Sequence, residues 1–140
     1  MSRTAHYVLD TNMVAYIVSG RSMAARKRLK LERERAAVAL SAVTQAEILF
    51  GLERKPEAIR LRAAVEDFFN AVPVMAWDSD AARAYGLLRA RLSAAGKSLS
   101  AMDLLIASHA IAVNAVLVTH DKALLQVSSF LKVMDWASDL

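Results

Sequence analysis

The 140-residue chain contains no cysteine, two prolines and four glycines, and aromatic side chains make up 6% of it. Without cysteine there is no disulfide framework, no thiolate zinc site and no cysteine nucleophile. Nothing in the composition calls for an oxidising compartment, so the cytoplasm is the expected location. The scarcity of proline and glycine excludes collagenous and low-complexity classes. A long uninterrupted apolar run is also missing: the stretch Ala101 to Val118 is broken by Asp103, Ser108, His109 and Asn114, too many polar groups for a bilayer span, and no membrane association is expected. The opening Met1-Ser2-Arg3-Thr4-Ala5-His6 is polar and runs into Asp10, which leaves no apolar centre for a secretion signal.

What is present is apolar: 56% of residues are hydrophobic and 23% charged. That is enough to fill one core, and a single domain over residues 1–140 is expected. The net charge of +4 is unevenly spread. The window Arg21 to Arg35 holds seven basic residues, Arg21, Arg26, Lys27, Arg28, Lys30, Arg33 and Arg35, against Glu32 and Glu34. Such a patch suits a polyanion, because phosphate contacts release counterions without reading sequence. It equally suits a solvated helix face on which acid and base are mixed.

Short runs rich in Val and Leu alternate with helical spacing along the chain. Strands are predicted at His6 to Leu9, Val38 to Ser41, Val72 to Met75, Ala115 to Thr119 and Leu131 to Met134. Helices are predicted over Asn12 to Ser19, the basic window, Thr44 to Arg54, Pro56 to beyond Phe68, Asp80 to beyond Leu92, Ser100 to Val113 and Lys122 to Val127. Apolar strands without polar alternation are those buried on both faces of a parallel sheet, so the class is three-layer α/β, with four to five parallel strands flanked by helices.

In such sheets ligand sites form outside the carboxyl ends of the strands. Asp10 and Asp121 fall just past predicted strands, and Glu47 in the first turn of the helix after the second strand. Asp103 opens the helix before the fourth strand. It joins the others only if that helix starts on their side, which a helix entering a parallel strand is not expected to do. Each acid also has a purely structural role open to it. Thr44 to Glu47 and Ser100 to Asp103 both fit a capping box, Asp121 suits the cap of the helix at Lys122, and Asp10 suits the turn amides after its strand. If the four do converge, two carboxylates about 5 Å apart at an effective dielectric near 20 repel by roughly 3 kcal/mol, so the group must protonate or hold a cation. All-oxygen ligands select hard ions such as Mg²⁺ or Mn²⁺.

The segments Leu9-Asp10-Thr11-Asn12, Ala46-Glu47-Ile48-Leu49-Phe50-Gly51-Leu52, Asp103-Leu104-Leu105-Ile106-Ala107 and Val118-Thr119-His120-Asp121 closely resemble the four motifs of PIN-domain ribonucleases, in particular the VapC toxins of bacterial toxin–antitoxin pairs. The resemblance extends to the closing Val133-Met134-Asp135-Trp136. It implies that Asp10, Glu47, Asp103 and Asp121 meet in one pocket and bind one or two Mg²⁺ or Mn²⁺ ions, with Asn12 and Thr119 in supporting places. It implies metal-assisted hydrolysis of RNA to a 5′-phosphate and a 3′-hydroxyl, a VapB-type antitoxin as partner, and a homodimer. Beside that pocket Arg21, Arg26, Lys27, Arg28 and Lys30 become candidates for an RNA-facing helix.

His6, His109 and His120 are widely separated and read as ordinary bonded or solvated imidazoles; His120, beside Asp121, is the one singled out for testing. Trp77, Trp136 and the Phe68-Phe69 pair read as core or dimer surface rather than base-stacking platforms. Two other functions compete. A haloacid-dehalogenase-like phosphatase would share the acid after the first strand, but Asn12 stands where its second aspartate belongs. A non-catalytic RNA-binding or scaffold domain of the same fold would have no need of all four acids.

Overall fold

The structure, a computed structural model, describes residues 5–140; the reading of Met1 to Thr4 as unsuited to a secretion signal lies outside the described residues. From β1 (Tyr7–Leu9) the chain passes through α1 (Thr11–Ser19) and α2 (Met23–Arg35) to β2 (Val38–Ser41). It then passes through α3 (Ala42–Glu53) and α4 (Ile59–Ala71) to β3 (Val74–Met75). Next, α5 (Ser79–Ala94) and α6 (Ala101–Ala112) lead to β4 (Val116–Val118), and α7 (Lys122–Leu125) to β5 (Val133–Met134). The five strands are parallel in the order β3-β2-β1-β4-β5, with Leu9 in register with Leu40 on one side and Val118 on the other. The three-layer α/β class expected of the sequence is what the chain forms.

Alternation along the strands divides the core between the two faces of the sheet. Val8, Ala39 and Leu117 pack with Leu88 and Leu92 of α5 and Leu104, Ile106 and Ala107 of α6. Leu9, Leu40 and Val118 pack with Met13, Val14 and Ile17 of α1, Leu29 of α2 and Phe68 of α4. Leu9, Leu40 and Leu117 are fully buried, each stabilising the fold by about 2 kcal/mol. Among the described residues no helix is long and apolar enough to cross a membrane.

The sheet order decides where a ligand can bind. The chain moves outward from β1 to β2 and β3, then returns to the other side of β1 for β4 and β5. The order therefore reverses between β1 and β4, and a crevice opens outside their carboxyl ends.

Several boundaries differ from the sequence expectations. Ser41, the last residue of β2, is itself the cap of α3, and its hydroxyl accepts from the Val43 N–H at 3.1 Å. The helix therefore starts at Ala42 and not at Thr44, because a strand that ends on a serine needs no separate turn. Pro56 lies in a turn closed by the Ala58 N–H on the Lys55 carbonyl at 3.0 Å, and α4 begins three residues later, at Ile59. Asp78 caps α5 by accepting from the Ala81 N–H at 3.1 Å, which moves that start to Ser79. Ser100 caps α6 as its sequence position suggests.

Candidate active site

Asp10 closes β1 and caps α1, its Oδ1 accepting from the Met13 N–H at 2.8 Å. The residue is 4% exposed. Burial pushes its carboxyl from 3.8 up to about 6, the Thr119 hydroxyl and Met13 N–H pull it back, and the negative charges of Asp103 and Asp121 raise it further. Across the crevice Asp121 caps α7, its Oδ1 accepting from the Ala123 N–H at 2.7 Å. Its own N–H donates to the Thr119 hydroxyl at 3.0 Å. Thr119, fully buried at the end of β4, thus couples the acids on either side of the switch point.

Glu47 is on α3, one and a half turns from the end of β2. With Ser41 as cap it has no part in a capping box, so that structural explanation for its presence is removed. Its Oε1 accepts from the Thr11 hydroxyl at 2.5 Å across 36 residues of sequence. Asp103 follows the cap of α6 and donates its N–H to the Ser100 hydroxyl at 3.2 Å. Its carboxyl is raised by burial first, with Ser100 opposing and the charges of Asp121 and Glu47 adding to the rise.

The four acids are therefore electrostatically linked at one edge, and Asp103 is among them. Helix α6 ends at Ala112, three residues before β4. It must therefore finish at the amino edge of the sheet and begin about 18 Å away, at the carboxyl edge. The expectation that a helix entering a parallel strand starts on the far side from the site is corrected by this geometry.

One pattern recurs. Asp10, Asp121 and Glu47 each have one carboxylate oxygen fixed by a protein donor, from Met13, Ala123 and Thr11 respectively. The buried Glu32 makes a contrast: it is paired with Arg28 at 2.6 Å and Arg35 at 3.5 Å and is a structural acid. The acids in the crevice have no such basic partner among the described ion pairs. A like-charged set, buried at Asp10 and half-buried at the other three, without its own counter-charge is a candidate functional site. Among the described residues no three acids or histidines stand close enough to enclose an ion by themselves. The all-oxygen chemistry of the four acids is that of a hard divalent ion, which keeps several waters and takes only one or two carboxylates.

Of the supporting residues expected, Thr119 bonds the Asp121 N–H and the Asp10 carboxyl. Asn12 is exposed on the first turn of α1 and makes no described hydrogen bond to any of the four acids. Its neighbour Thr11, directly after Asp10, is the residue of this turn that bonds one of the acids, Glu47. The basic window does not act as one stripe. Arg26 caps the carboxyl end of α1, donating to the Ile17 carbonyl at 2.8 Å and 3.1 Å. Arg28 is taken up by Glu32 and by the Trp136 ring, 5.5 Å from its guanidinium. Lys27 and Lys30 are exposed further down α2, and only Arg21, before the helix, stands over Tyr16 on α1.

Beside the acids an apolar cavity of about 530 Å³ opens between α1, α3 and α4, lined by Thr11, Val14, Tyr16, Ile48 and Leu61 and rimmed by Arg21, Arg54 and Lys55.

Residues 7–129 match the PIN domain. The chain is 30% identical over 115 residues to ribonuclease VapC2 of Rickettsia felis, covering 82% of this chain and 86% of that one. It is 28% identical over 131 residues to the tRNA(fMet)-specific endonuclease VapC of Shigella flexneri, covering 94% and 98%. Among solved structures, that of VapBC2 from Rickettsia felis bound to a DNA fragment from their promoter matches with a TM-score of 0.85 at 28% identity, covering 93% of this chain and 98% of that chain.

Proposed function

The chain belongs to the PIN-domain family, and on that premise we propose that it is a divalent-metal-dependent endoribonuclease, the toxin half of a toxin–antitoxin pair, acting in the crevice between β1 and β4. The observation that carries this reading is Asp10, held 4% exposed at the switch point, where burial first, and the charges of Asp103 and Asp121 in smaller part, bring its pKa to about 6.

Asp10, Glu47, Asp103 and Asp121 would hold one or two Mg²⁺ or Mn²⁺ ions, which when bound supply a water of lowered pKa and positive charge for the phosphate oxygens. The chain's own groups do the positioning. Met13, Ala123 and Thr11 fix one oxygen each of Asp10, Asp121 and Glu47, and the Thr119 hydroxyl also bonds the Asp10 carboxyl. The Thr11 hydroxyl donates to Glu47 and the Thr119 hydroxyl accepts from the Asp121 N–H, so both hydroxyls hold the acids in place. In this reading hydrolysis is direct: water adds its hydroxyl to phosphorus and its proton goes to the departing 3′ oxygen, giving a 5′-phosphate and a 3′-hydroxyl. By analogy with the relative solved as VapBC2, the partner is a VapB-type antitoxin, with a segment seated in the cavity beside Thr11. The exposed Phe50 and Ile59, 63% and 76% accessible, offer apolar surface for a homodimer.

Glu47→Gln tests the site. Glutamine can still accept from Thr11 but is a poor ligand for a hard ion, so metal-free melting is expected to stay level or rise while RNA cleavage falls at least about 100-fold. Unchanged cleavage would return Glu47 to a packing role. Sequencing the 5′ ends of cleaved RNA after brief induction, beside an Asp103→Asn control, identifies the target.

A further inference from the structure

His120 stands between Thr119 and Asp121 in the loop that leaves β4. Its Nδ1 lies 2.7 Å from Oδ2 of Asp135, just past β5. The other oxygen of Asp135 is taken by the Ala137 N–H at 2.7 Å. A carboxylate only accepts, so Nδ1 carries the proton of this bond, and Nε2 is left as the second hydrogen-bonding nitrogen of the ring. That nitrogen has no partner among the described hydrogen bonds, and the side chain is 30% exposed. The Tyr16 ring meets it edge to face, centroids 5.9 Å apart at 84°, and the Arg21 guanidinium lies 5.2 Å from the Tyr16 centroid. The imidazole is thus fixed in plane, next to an acid of the site. A staple between the exits of β4 and β5 uses only Nδ1. It accounts neither for the open Nε2 nor for its place beside Asp121.

We propose that His120 is a substrate-contact residue, its Nε2 accepting a hydrogen bond from a donor on the nucleotide flanking the scissile bond. Asp135 holds the Nδ1 proton and Tyr16 the ring plane. The donor is a sugar 2′-hydroxyl or a base N–H; the first would also distinguish RNA from DNA. This rests on the nuclease reading above.

The test is His120→Asn. The asparagine amide reaches the Nδ1 position and keeps the tie to Asp135, but nothing replaces Nε2. Single-turnover cleavage is measured on an RNA oligonucleotide carrying the mapped cut. It is repeated on copies in which one flanking nucleotide at a time is 2′-deoxy or has a base lacking its exocyclic N–H. The parent is expected to lose about tenfold at one position, the cost of a single hydrogen bond. His120→Asn is expected to melt with the parent, to lose about the same on unmodified RNA, and to lose nothing further at that position, because the same bond is gone in both. A loss shared with a 2′-deoxy position assigns the donor to the sugar, and one shared with a base change assigns it to the base. His120→Gln, which carries an acceptor at the reach of Nε2, is expected to recover most of the rate. Cleavage by His120→Asn at the parent's rate, or losses that multiply at every position, would overturn the proposal and leave His120 a staple. A parent that cleaves no RNA would overturn both readings; activity lost in Asp103→Asn but intact in His120→Asn overturns only this one.

Discussion

At Asp10 a carboxylate needed for its charge is kept where charge is costly. Its folded pKa of about 6 lies above the ordinary 3.8, so between those values the folded protein holds a proton that the unfolded chain has released. The stability this confers is fully present below pH 3.8 and lost as pH rises through 6, a difference of about 3 kcal/mol. Asp10→Asn still accepts from Met13 and carries no charge. It is expected to raise the metal-free melting temperature at pH 7.5 and to give no gain at pH 4, read by thermal unfolding at the two pH values. A variant that melts below the parent at pH 7.5 would show that the charged carboxylate is not the strained state. His109 has the opposite sense: burial holds its pKa below the usual 6.5, so its contribution is present above that pH and lost on acidification.

Among the elements, α3 shows how a cap is misread from sequence. Thr44 and Glu47 have the spacing of a capping box, yet Ser41 does the capping, and its hydroxyl also bonds Nδ1 of the buried His109 at 2.7 Å. Thr44 is left fully buried, with its hydroxyl unpartnered. The two residues should therefore respond in opposite directions to substitution. Ser41→Ala removes a cap and strands a buried imidazole, and is expected to cost about 2 kcal/mol. Thr44→Val keeps the shape, loses the unsatisfied hydroxyl and is expected to stabilise by about 1 kcal/mol. Urea unfolding of both variants checks this, and a destabilised Thr44→Val would mean that its hydroxyl has a partner. Helix α2 teaches a similar lesson about charge. Its basic residues look interchangeable in sequence, but Arg26 closes α1 and Arg28 lies against Trp136, so only part of the window is left for a polyanion.

For the molecule as a whole, the reversal of strand order between β1 and β4 brings Asp10 and Asp121 together, and α3 and α6 add Glu47 and Asp103. The folded state then carries repulsion that the unfolded chain lacks, and in the proposed reading a bound cation offsets it. Millimolar Mn²⁺ is accordingly expected to raise the melting temperature of the parent by several degrees and that of Asp10→Asn much less, because the ion binds the folded form alone. Equal shifts in the two proteins would count against an ion at this site.

The α/β class was legible along the chain, because buried parallel strands are short Val- and Leu-rich runs and the helices between them keep their apolar spacing. Asp10 and Asp121 were legible as strand-exit acids for the same local reason, and the four motifs pointed to their family before any coordinate did. What local pattern does not contain is direction and distance. That α6 starts on the side of the acids follows from where it must end, and that Thr11 reaches Glu47 follows from a bond spanning 36 residues. The tie from His120 to Asp135 joins two strand exits that only the sheet makes neighbours. Periodicity depends on residues a few positions apart, whereas the charge balance of a site depends on groups that meet only once the chain has folded.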